Sequence, residues 1–184
     1  MTGLYLHIPF CKQSCHYCNF HFSTSQNNRD EVLTAINKEI NQKALGFNDK
    51  ISTIYFGGGT PSFLSVKQLE RLVDGLHRSF GWDNAEEVTF ECEPGTLSEP
   101  KIAALKRLGV TRVSLGVENF DDEILESNGR AHLSNEIFRA WDWIQKAEFP
   151  STNIDLIAGM VGETTESWEQ TVETALRLAP DSLT

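Results

Sequence analysis

The sequence predicts an α/β fold whose parallel strands form the wall of a barrel. Three observations support this fold class: short apolar or β-branched runs recur, segments with helical spacing separate them, and the runs are apolar on one face only. Alternation of strand and helix implies a parallel sheet with right-handed crossovers. The predicted strands are LYLHI, STIYFGGG, VTFECEP, RVSLGVE, NIDLIAG and the last fragment, DSLT.

Four segments between these runs carry helix signals. In SVKQLERLVDGLHRSFG, Ser65 is placed to cap a helix and Gly81 to end it, with an apolar stripe between them. SEPKIAALKRLG repeats the pattern, with Ser98 as the cap and Gly109 as the stop. RDEVLTAINKEINQKALG and TTESWEQTVETALRL are predicted as two further helices. Because no short repeat or linker interrupts the alternation, residues 1–184 are predicted to form one domain.

An open doubly wound sheet and a (β/α) barrel both fit this alternation, and the strand faces favour the barrel. Strands between two helix layers should be apolar on both faces, whereas in VTFECE and VSLGVE apolar side chains alternate with polar or small ones. The polar faces would line a lumen and place Glu91, Glu118 and Asp155 near the carboxyl ends of three successive strands, where barrel active sites are built. One such carboxylate suggests a structural pair, but three together favour a ligand site.

Charge and composition exclude several classes of function. The chain carries a net charge of −10 and no basic stripe, which argues against nucleic-acid binding. No apolar run approaches the ~20 residues of a membrane span, and the start, MTGLYLHIPF, lacks the basic flank and long apolar core of a secretory signal. We therefore expect a cytoplasmic protein, in which clustered cysteines bind metal or act in catalysis instead of forming disulfides.

Three of the four cysteines lie close together just after the first predicted strand, as Cys11, Cys15 and Cys18. A structural zinc site requires four ligands, usually in two separated pairs. A zinc site here would therefore need His16 or His21 as its fourth ligand. Three thiolates on a 4Fe-4S cluster instead leave one iron open, where a substrate or cofactor can bind. The C-x3-C-x2-C spacing on a loop after a first strand favours the cluster.

The motifs together resemble radical S-adenosylmethionine (SAM) proteins, and more narrowly the oxygen-independent coproporphyrinogen III oxidase family. The matching stretches are YLHIPFCKQSCHYC, YFGGGTPSFLS, ECEPGTL, SLGVENFDDEILESNGR and NIDLIAGMVGET. The resemblance implies a partial (β/α)6 barrel of the TIM-like, radical SAM kind. Residues 1–184 would be its core domain, truncated near the sixth strand, with the family's C-terminal domain absent.

The resemblance also implies the cofactors and partners. Cys11, Cys15 and Cys18 would hold a 4Fe-4S cluster that chelates the methionine end of SAM. The reduced iron–sulfur cluster would cleave SAM to a 5′-deoxyadenosyl radical, which abstracts hydrogen from a porphyrin-like substrate or heme. The electron would come from a donor such as flavodoxin or ferredoxin. No residue of this sequence is singled out as catalytic.

By the same resemblance, the FGGGTP stretch holds SAM through Gly58, Gly59 and Thr60. Glycines let the backbone approach a ligand closely, so the turn is expected to offer it free amide and carbonyl groups. Glu91 is expected to accept hydrogen bonds from the ribose hydroxyls.

Further ligand contacts follow from the family pattern. Tyr5 is expected to touch SAM near the cluster, and Tyr17 to pack beside the adenine. A second SAM is implied at Glu118, Arg130 and Asp155, although the same residues could form a structural ion-pair network. Glu118 stands where the dehydrogenases have glutamine, and a carboxylate cannot donate as an amide does. We therefore expect one SAM and leave a second one open.

The family contains porphyrinogen dehydrogenases, heme chaperones and methyltransferases. Our first interpretation is an oxidoreductase of porphyrin biosynthesis, similar to coproporphyrinogen III dehydrogenase. The alternatives are a heme chaperone without oxidase activity and a radical SAM methyltransferase. The dehydrogenases carry another cysteine two places after the last cluster cysteine, whereas Cys18 is followed here by Asn19 and Phe20, as in the chaperone branch.

Overall fold

Strands and helices alternate throughout the computed structural model, which describes residues 2–82 and 85–184. Within those residues, no helix is long and apolar enough to cross a membrane. The strands are β1 (Thr2–Ile8), β2 (Ile51–Gly58), β3 (Glu87–Cys92), β4 (Arg112–Glu118), β5 (Ser151–Leu156) and β6 (Ser182–Leu183). The helices are α1 (Arg29–Ala44), α2 (Val66–Ser79), α3 (Glu99–Arg107), α4 (Asp122–Ser127), α5 (Ser134–Ala147) and α6 (Thr165–Leu178).

The strand order decides between the two candidate architectures. All neighbouring strands are parallel, and the order across the sheet is β1-β2-β3-β4-β5-β6. A doubly wound sheet reverses its order at a switch point, but this order never reverses, so right-handed crossovers place the helices on one face. Among the described residues no ladder joins β6 to β1. The predicted α/β class is confirmed, and the open sheet has the form of a partial (β/α)6 barrel.

The core lies between the outer face of the sheet and the helices. Every side chain of the predicted apolar faces of β3 and β4 is at most 3% exposed. The predicted stripe of α2 packs into the same cluster. These core residues are Val88, Phe90, Cys92, Val113, Leu115 and Val117 from the strands, with Leu69, Leu72, Val73 and Leu76 from α2. The opposite face is thereby left for polar side chains.

The helix signals are confirmed, with one difference in detail. Ser65 caps α2 in a capping box: its Oγ accepts from the Gln68 amide at 3.3 Å, and Gln68 Oε1 accepts from the Ser65 amide at 3.0 Å. Gly81 follows α2 with φ 62°. Ser98 holds the N-cap position of α3 without a side-chain cap bond. Pro100, in the first turn of α3, lacks one of the amides that a cap would satisfy.

The end of β4 is irregular in a way that shapes the inner face. Gly116 pairs with Asp155 and Glu118 pairs with Leu156, so the register shifts by one residue at Val117. Such a bulge bends the strand and redirects the side chains beyond it. Glu118 consequently adopts φ 66°, in the left-handed region that favours glycine.

Candidate functional site

An open cavity of about 250 Å³ lies at the carboxyl ends of the strands, which is where barrel active sites are built. Its walls are the cysteine loop (residues 11–18) after β1, the glycine turn (residues 58–60) after β2, and the ends of β3, β4 and β5. All the predicted site residues except Tyr5 line it: Cys11, Cys15, Tyr17, Cys18, Gly58, Gly59, Thr60, Glu91, Glu118, Arg130 and Asp155.

The three clustered cysteines are free thiols on one wall of this cavity. Among the described residues, no group of three or more Cys, His, Asp or Glu side chains is placed so that it could hold a metal ion as it stands. His16 is engaged elsewhere, because its Nδ1 lies 3.0 Å from the Ser127 carbonyl oxygen. A 4Fe-4S cube has an iron at each of four corners, so its thiolate ligands have to stand apart. All three thiols line the same open cavity, which is the arrangement that a shared cluster requires.

The cysteine loop is docked on the end of α4 and the loop that follows it. The His16 amide donates to the Asn128 carbonyl at 3.0 Å, and Gln13 Nε2 donates to the Gly129 carbonyl at 2.6 Å. Gly129 has φ 72°, and a Cβ built there would lie 3.0 Å from the His16 ring. This docking role of Gln13 and His16 was not among the predictions from the sequence. The SNGR stretch, with a glycine after an asparagine, was the available signal for a special turn.

The glycine turn packs against the cysteine loop. The amides of Gly59 and Thr60 donate to the carbonyls of Ile8 and Phe10 at 2.8 and 2.7 Å. A Cβ at Gly59 would lie 2.8 Å from the Phe10 carbonyl oxygen and 2.9 Å from Cys11 Sγ. The prediction that these amides are free for a ligand is therefore wrong, because the chain's own carbonyls accept from both. Glycine is needed here for the close approach of two protein segments.

Glu91 lines the cavity at the end of β3 and is held by two donors. Its Oε1 accepts from the Tyr55 hydroxyl at 2.7 Å, and its Oε2 accepts from the Gly58 amide at 3.2 Å. The Gly58 amide is thus also used within the protein. Burial raises the pKa of Glu91 above its usual value, although both hydrogen bonds oppose the rise.

Arg130 is the centre of the polar contacts in the cavity. Its Nη2 donates to the Gly116 carbonyl at 2.7 Å, and its Nη1 donates to the Tyr17 hydroxyl at 3.0 Å. The same Nη1 lies 3.5 Å from Cys15 Sγ and 3.8 Å from Glu118 Oε1. Only 10% of the Arg130 side chain is exposed, so these contacts are largely shielded from water.

The electrostatics of the cavity are dominated by buried carboxylates. Burial raises the pKa of Glu118 to about 7; Arg130 opposes the rise, and the charges of Asp155 and Glu91 add to it. Burial works against the charge of Arg130, but Glu118 and other neighbours raise its pKa above its usual value, so the guanidinium stays charged. Two basic side chains, Arg130 and Lys12, share the cavity with four carboxyl groups, those of Glu91, Glu93, Glu118 and Asp155. This excess of acidic groups favours a ligand that carries positive charge.

Asp155 lies in a hydrogen-bond network and not in the ion-pair network that was the alternative to a second SAM. Its Oδ2 accepts from Ser114 Oγ and its Oδ1 accepts from Asn153 Nδ2, each at 2.8 Å. Asn153 Nδ2 also donates to Ser114 Oγ at 3.0 Å. In the described part of the chain Arg130 forms its ion pair with Glu118 alone. Ser114 and Asn153 were missed as site residues, although both share the polar strand faces that were used to place Asp155.

Tyr5 does not line the cavity. Its hydroxyl lies 3.3 Å from His7 Nδ1 and its ring stacks on Tyr55, with 5.9 Å between the ring centroids. Through Tyr55, which donates to Glu91, it stands one side chain behind the cavity wall. Tyr17, by contrast, lines the cavity next to Arg130 and is 40% exposed.

His132 and Glu93 form a buried pair that the sequence did not indicate. His132 Nδ1 is 2.7 Å from Glu93 Oε1, which also accepts from the Gly95 amide at 3.1 Å. Although burial alone would raise it, the His132 hydrogen bond holds the pKa of Glu93 below its usual value. Glu93 lines the cavity and lies on the same strand face as Glu91, which was the signal available in the sequence.

The chain is similar in sequence and in fold to several known proteins. Residues 5–175 match the model of the radical SAM superfamily. The chain is similar to the heme chaperone HemW of Bacillus subtilis (strain 168), with 38% identity over 182 residues, covering 97% of this chain and 48% of the relative. It is also similar to the oxygen-independent coproporphyrinogen III oxidase of Salmonella typhimurium, with 34% identity over 184 residues, covering 98% and 40%.

A solved structure has a similar fold. The coproporphyrinogen III oxidase HemN from Escherichia coli superposes with a TM-score of 0.90 at 31% identity, covering 98% of this chain and 43% of that one. The chain thus spans less than half the length of each of these three relatives.

Proposed function

Because this chain belongs to the radical SAM superfamily, in the group of heme chaperones HemW and oxygen-independent coproporphyrinogen III oxidases, we propose that it binds a 4Fe-4S cluster and SAM and cleaves SAM reductively. When bound, these groups supply a 5′-deoxyadenosyl radical that abstracts hydrogen from the substrate. The observation that carries the proposal is the convergence of three free thiols and four carboxyl groups on one open cavity. Thiolates suit the irons, and carboxylates suit a cationic sulfonium ligand.

The proposed roles follow from the lone pairs and donors that the protein leaves unused. Cys11, Cys15 and Cys18 would hold three irons of the cluster and leave the fourth without a protein thiolate, so that it could bind SAM. A carboxylate has about four acceptor sites, and Tyr55 and Gly58 occupy only two of those on Glu91. The remaining two accept from the ribose hydroxyls of SAM.

We propose one SAM because the volume of the cavity gives no support for two. Ligand sites for molecules of this size commonly have ~300–1,000 Å³, and the cavity has about 250 Å³. The proposed SAM therefore occupies the part between the cysteine loop and Glu91. Glu118, Arg130 and Asp155 then face the substrate side, where a second SAM remains the alternative.

For the substrate we propose a tetrapyrrole, either a porphyrinogen or heme, because both kinds of relative act in that chemistry by name. A heme-chaperone role is the second candidate function. It is favoured by the residues that follow Cys18, which are Asn19 and an exposed Phe20 in place of a further cysteine. The Phe20 ring lines the cavity, where it offers apolar surface to a flat macrocycle.

The cellular setting belongs to the same proposal. Residues 1–184 form one radical SAM core domain that works in the cytoplasm, where thiols stay reduced. A flavodoxin or ferredoxin supplies the single electron. The net charge of −10 opposes contact with nucleic acid.

Anaerobic reconstitution with iron and sulfide, followed by SAM and dithionite, tests the proposal. We expect 5′-deoxyadenosine by chromatography from the parent chain and none from Cys15→Ala. A cluster-loaded chain that binds SAM but releases no 5′-deoxyadenosine contradicts reductive cleavage. Consumption of coproporphyrinogen III supports the oxidase, whereas heme that stays bound through gel filtration without that consumption supports the chaperone.

A further inference from the structure

Arg130 touches a cluster cysteine and a cavity carboxylate through one nitrogen atom. Its Nη1 lies 3.5 Å from Cys15 Sγ and 3.8 Å from Glu118 Oε1. The other end of the guanidinium is fixed, because Nη2 donates to the Gly116 carbonyl at 2.7 Å. The side chains of Arg130 and Glu118 are only 10% and 13% exposed, so little water screens these charges from each other.

We propose that Arg130 raises the reduction potential of the cluster and that Glu118 lowers it. The charge of a ligand bound beside this pair then also changes the reduction potential. The inference rests on the proposed function, because it needs a cluster on Cys15. Reduction adds a negative charge to a group that already carries three thiolates. A cation that donates to one of the sulfurs stabilises the reduced form, and hydrogen bonds to sulfur are a known determinant of such potentials.

The position of Glu118 makes this arrangement sensitive to the ligand. Glu118 competes with Cys15 for the same Arg130 nitrogen, and both Arg130 and Glu118 line the cavity. A cationic group placed beside Glu118 offsets its charge and leaves Arg130 to Cys15, which favours reduction. An anionic group beside Arg130 has the opposite effect. By linkage, reduction of the cluster changes the affinity for that ligand by the same factor.

A purely mechanical role for Arg130 is the rival explanation. Its contact with the Tyr17 hydroxyl at 3.0 Å could simply anchor the cysteine loop. The two explanations differ in sign: loss of the Arg130 charge and loss of the Glu118 charge should shift the potential in opposite directions, whereas loosening of the loop gives no such reversal. Tyr17→Phe removes the anchor and leaves both charges in place.

The experiment is a redox titration of the reconstituted chain at pH 8.5 with dithionite and mediator dyes, following the reduced cluster by electron paramagnetic resonance. At the parent midpoint potential, Arg130→Gln should lower the ratio of reduced to oxidised cluster about tenfold, which for one electron is 59 mV. Glu118→Gln should raise that ratio, and Arg130→Lys should lie between Arg130→Gln and the parent. Arg139→Gln, which removes the same charge from an exposed position on α5, should match the parent.

The outcomes separate this inference from the proposed function. A parent chain that assembles no cluster overturns the proposed function itself. A full cluster in Arg130→Gln with the parent potential overturns the inference alone. If Arg130→Gln assembles no cluster, Glu118→Gln decides: a raised ratio supports the inference, and an unchanged or lowered ratio overturns it. A Tyr17→Phe shift as large as that of Arg130→Gln also overturns it.

Discussion

The Tyr55 hydroxyl donates to Glu91 Oε1 at 2.7 Å across the neighbouring strands β2 and β3. The Gly58 amide donates to the other carboxylate oxygen, so the carboxylate is fixed at both ends before any ligand arrives. A polar group held in this way loses little conformational freedom on binding, which is the advantage of a preorganised site.

We predict that Glu91→Ala weakens SAM binding by ~1–3 kcal/mol, the usual worth of hydrogen bonds to a charged group. The measurement is calorimetric titration of the cluster-loaded protein. Tyr55→Phe is the matched control, because it removes one donor and keeps the carboxylate, so its loss should be the smaller one. Equal affinities for Glu91→Ala and the parent would place the ribose elsewhere.

We predict that cluster binding depends on Cys11, Cys15 and Cys18 and is independent of Cys92. Each change of a loop cysteine to alanine should abolish the iron content and visible absorbance of the reconstituted chain, since every thiolate holds its own iron. Cys92 is 3% exposed on the helix-facing side of β3, and burial raises the pKa of its thiol, which keeps it inert. Cys92→Ala should therefore keep its iron, and a colourless Cys92→Ala protein contradicts the three-cysteine site.

The sequence predicted the parts of this fold that depend on local periodicity. Alternation along β3 placed Glu91 on the face opposite to that of the buried Phe90, because successive side chains of a strand point to opposite faces of the sheet. The cap at Ser65 was equally local, since it involves a residue three positions away. Alternation also placed Glu118 on the inner face, but the bulge at Val117 depends on pairing with β5 and could not be seen in the sequence.

The contacts that the sequence missed join residues far apart along the chain. The Gln13–Gly129 hydrogen bond spans 116 positions along the chain. The amide of Thr60 donates to the carbonyl of Phe10, which lies just after β1. The glycines of the turn indicated that the backbone there is closely approached by another group. The sequence could not show whether that group belongs to a ligand or to the protein. Only the folded sheet brings the cysteine loop against the turn, so this part of the site required the structure.

We predict that Gly129→Ala impairs cluster assembly, and that backbone strain at this position explains only part of the loss. Gly129 has φ 72°, which costs a residue with a Cβ roughly 1–2 kcal/mol, and the added methyl group would meet the His16 ring at 3.0 Å. Gly46→Ala is the matched control, because Gly46 has φ 78° and no atom within 4 Å of the added Cβ. Both variants should melt at lower temperature, but only Gly129→Ala should also lose iron on reconstitution. Equal iron contents would show that docking on Gly129 is dispensable for the cysteine loop.

The last prediction concerns the pH dependence of stability through Glu118. Burial raises its pKa from 4.5 to about 7, so the folded chain binds a proton that the unfolded chain has already released. Between these values stability must fall as the pH rises, by at most about 3 kcal/mol for this group, since one pKa unit corresponds to ~1.4 kcal/mol. Glu118→Gln removes the titrating group, while the remaining groups titrate in both proteins and largely cancel in the difference. The free energy of unfolding from urea titrations should therefore fall, relative to Glu118→Gln, from pH 5 to pH 7.5. A constant difference across that range would mean that Arg130 compensates the buried charge fully and that Glu118 is ionised throughout.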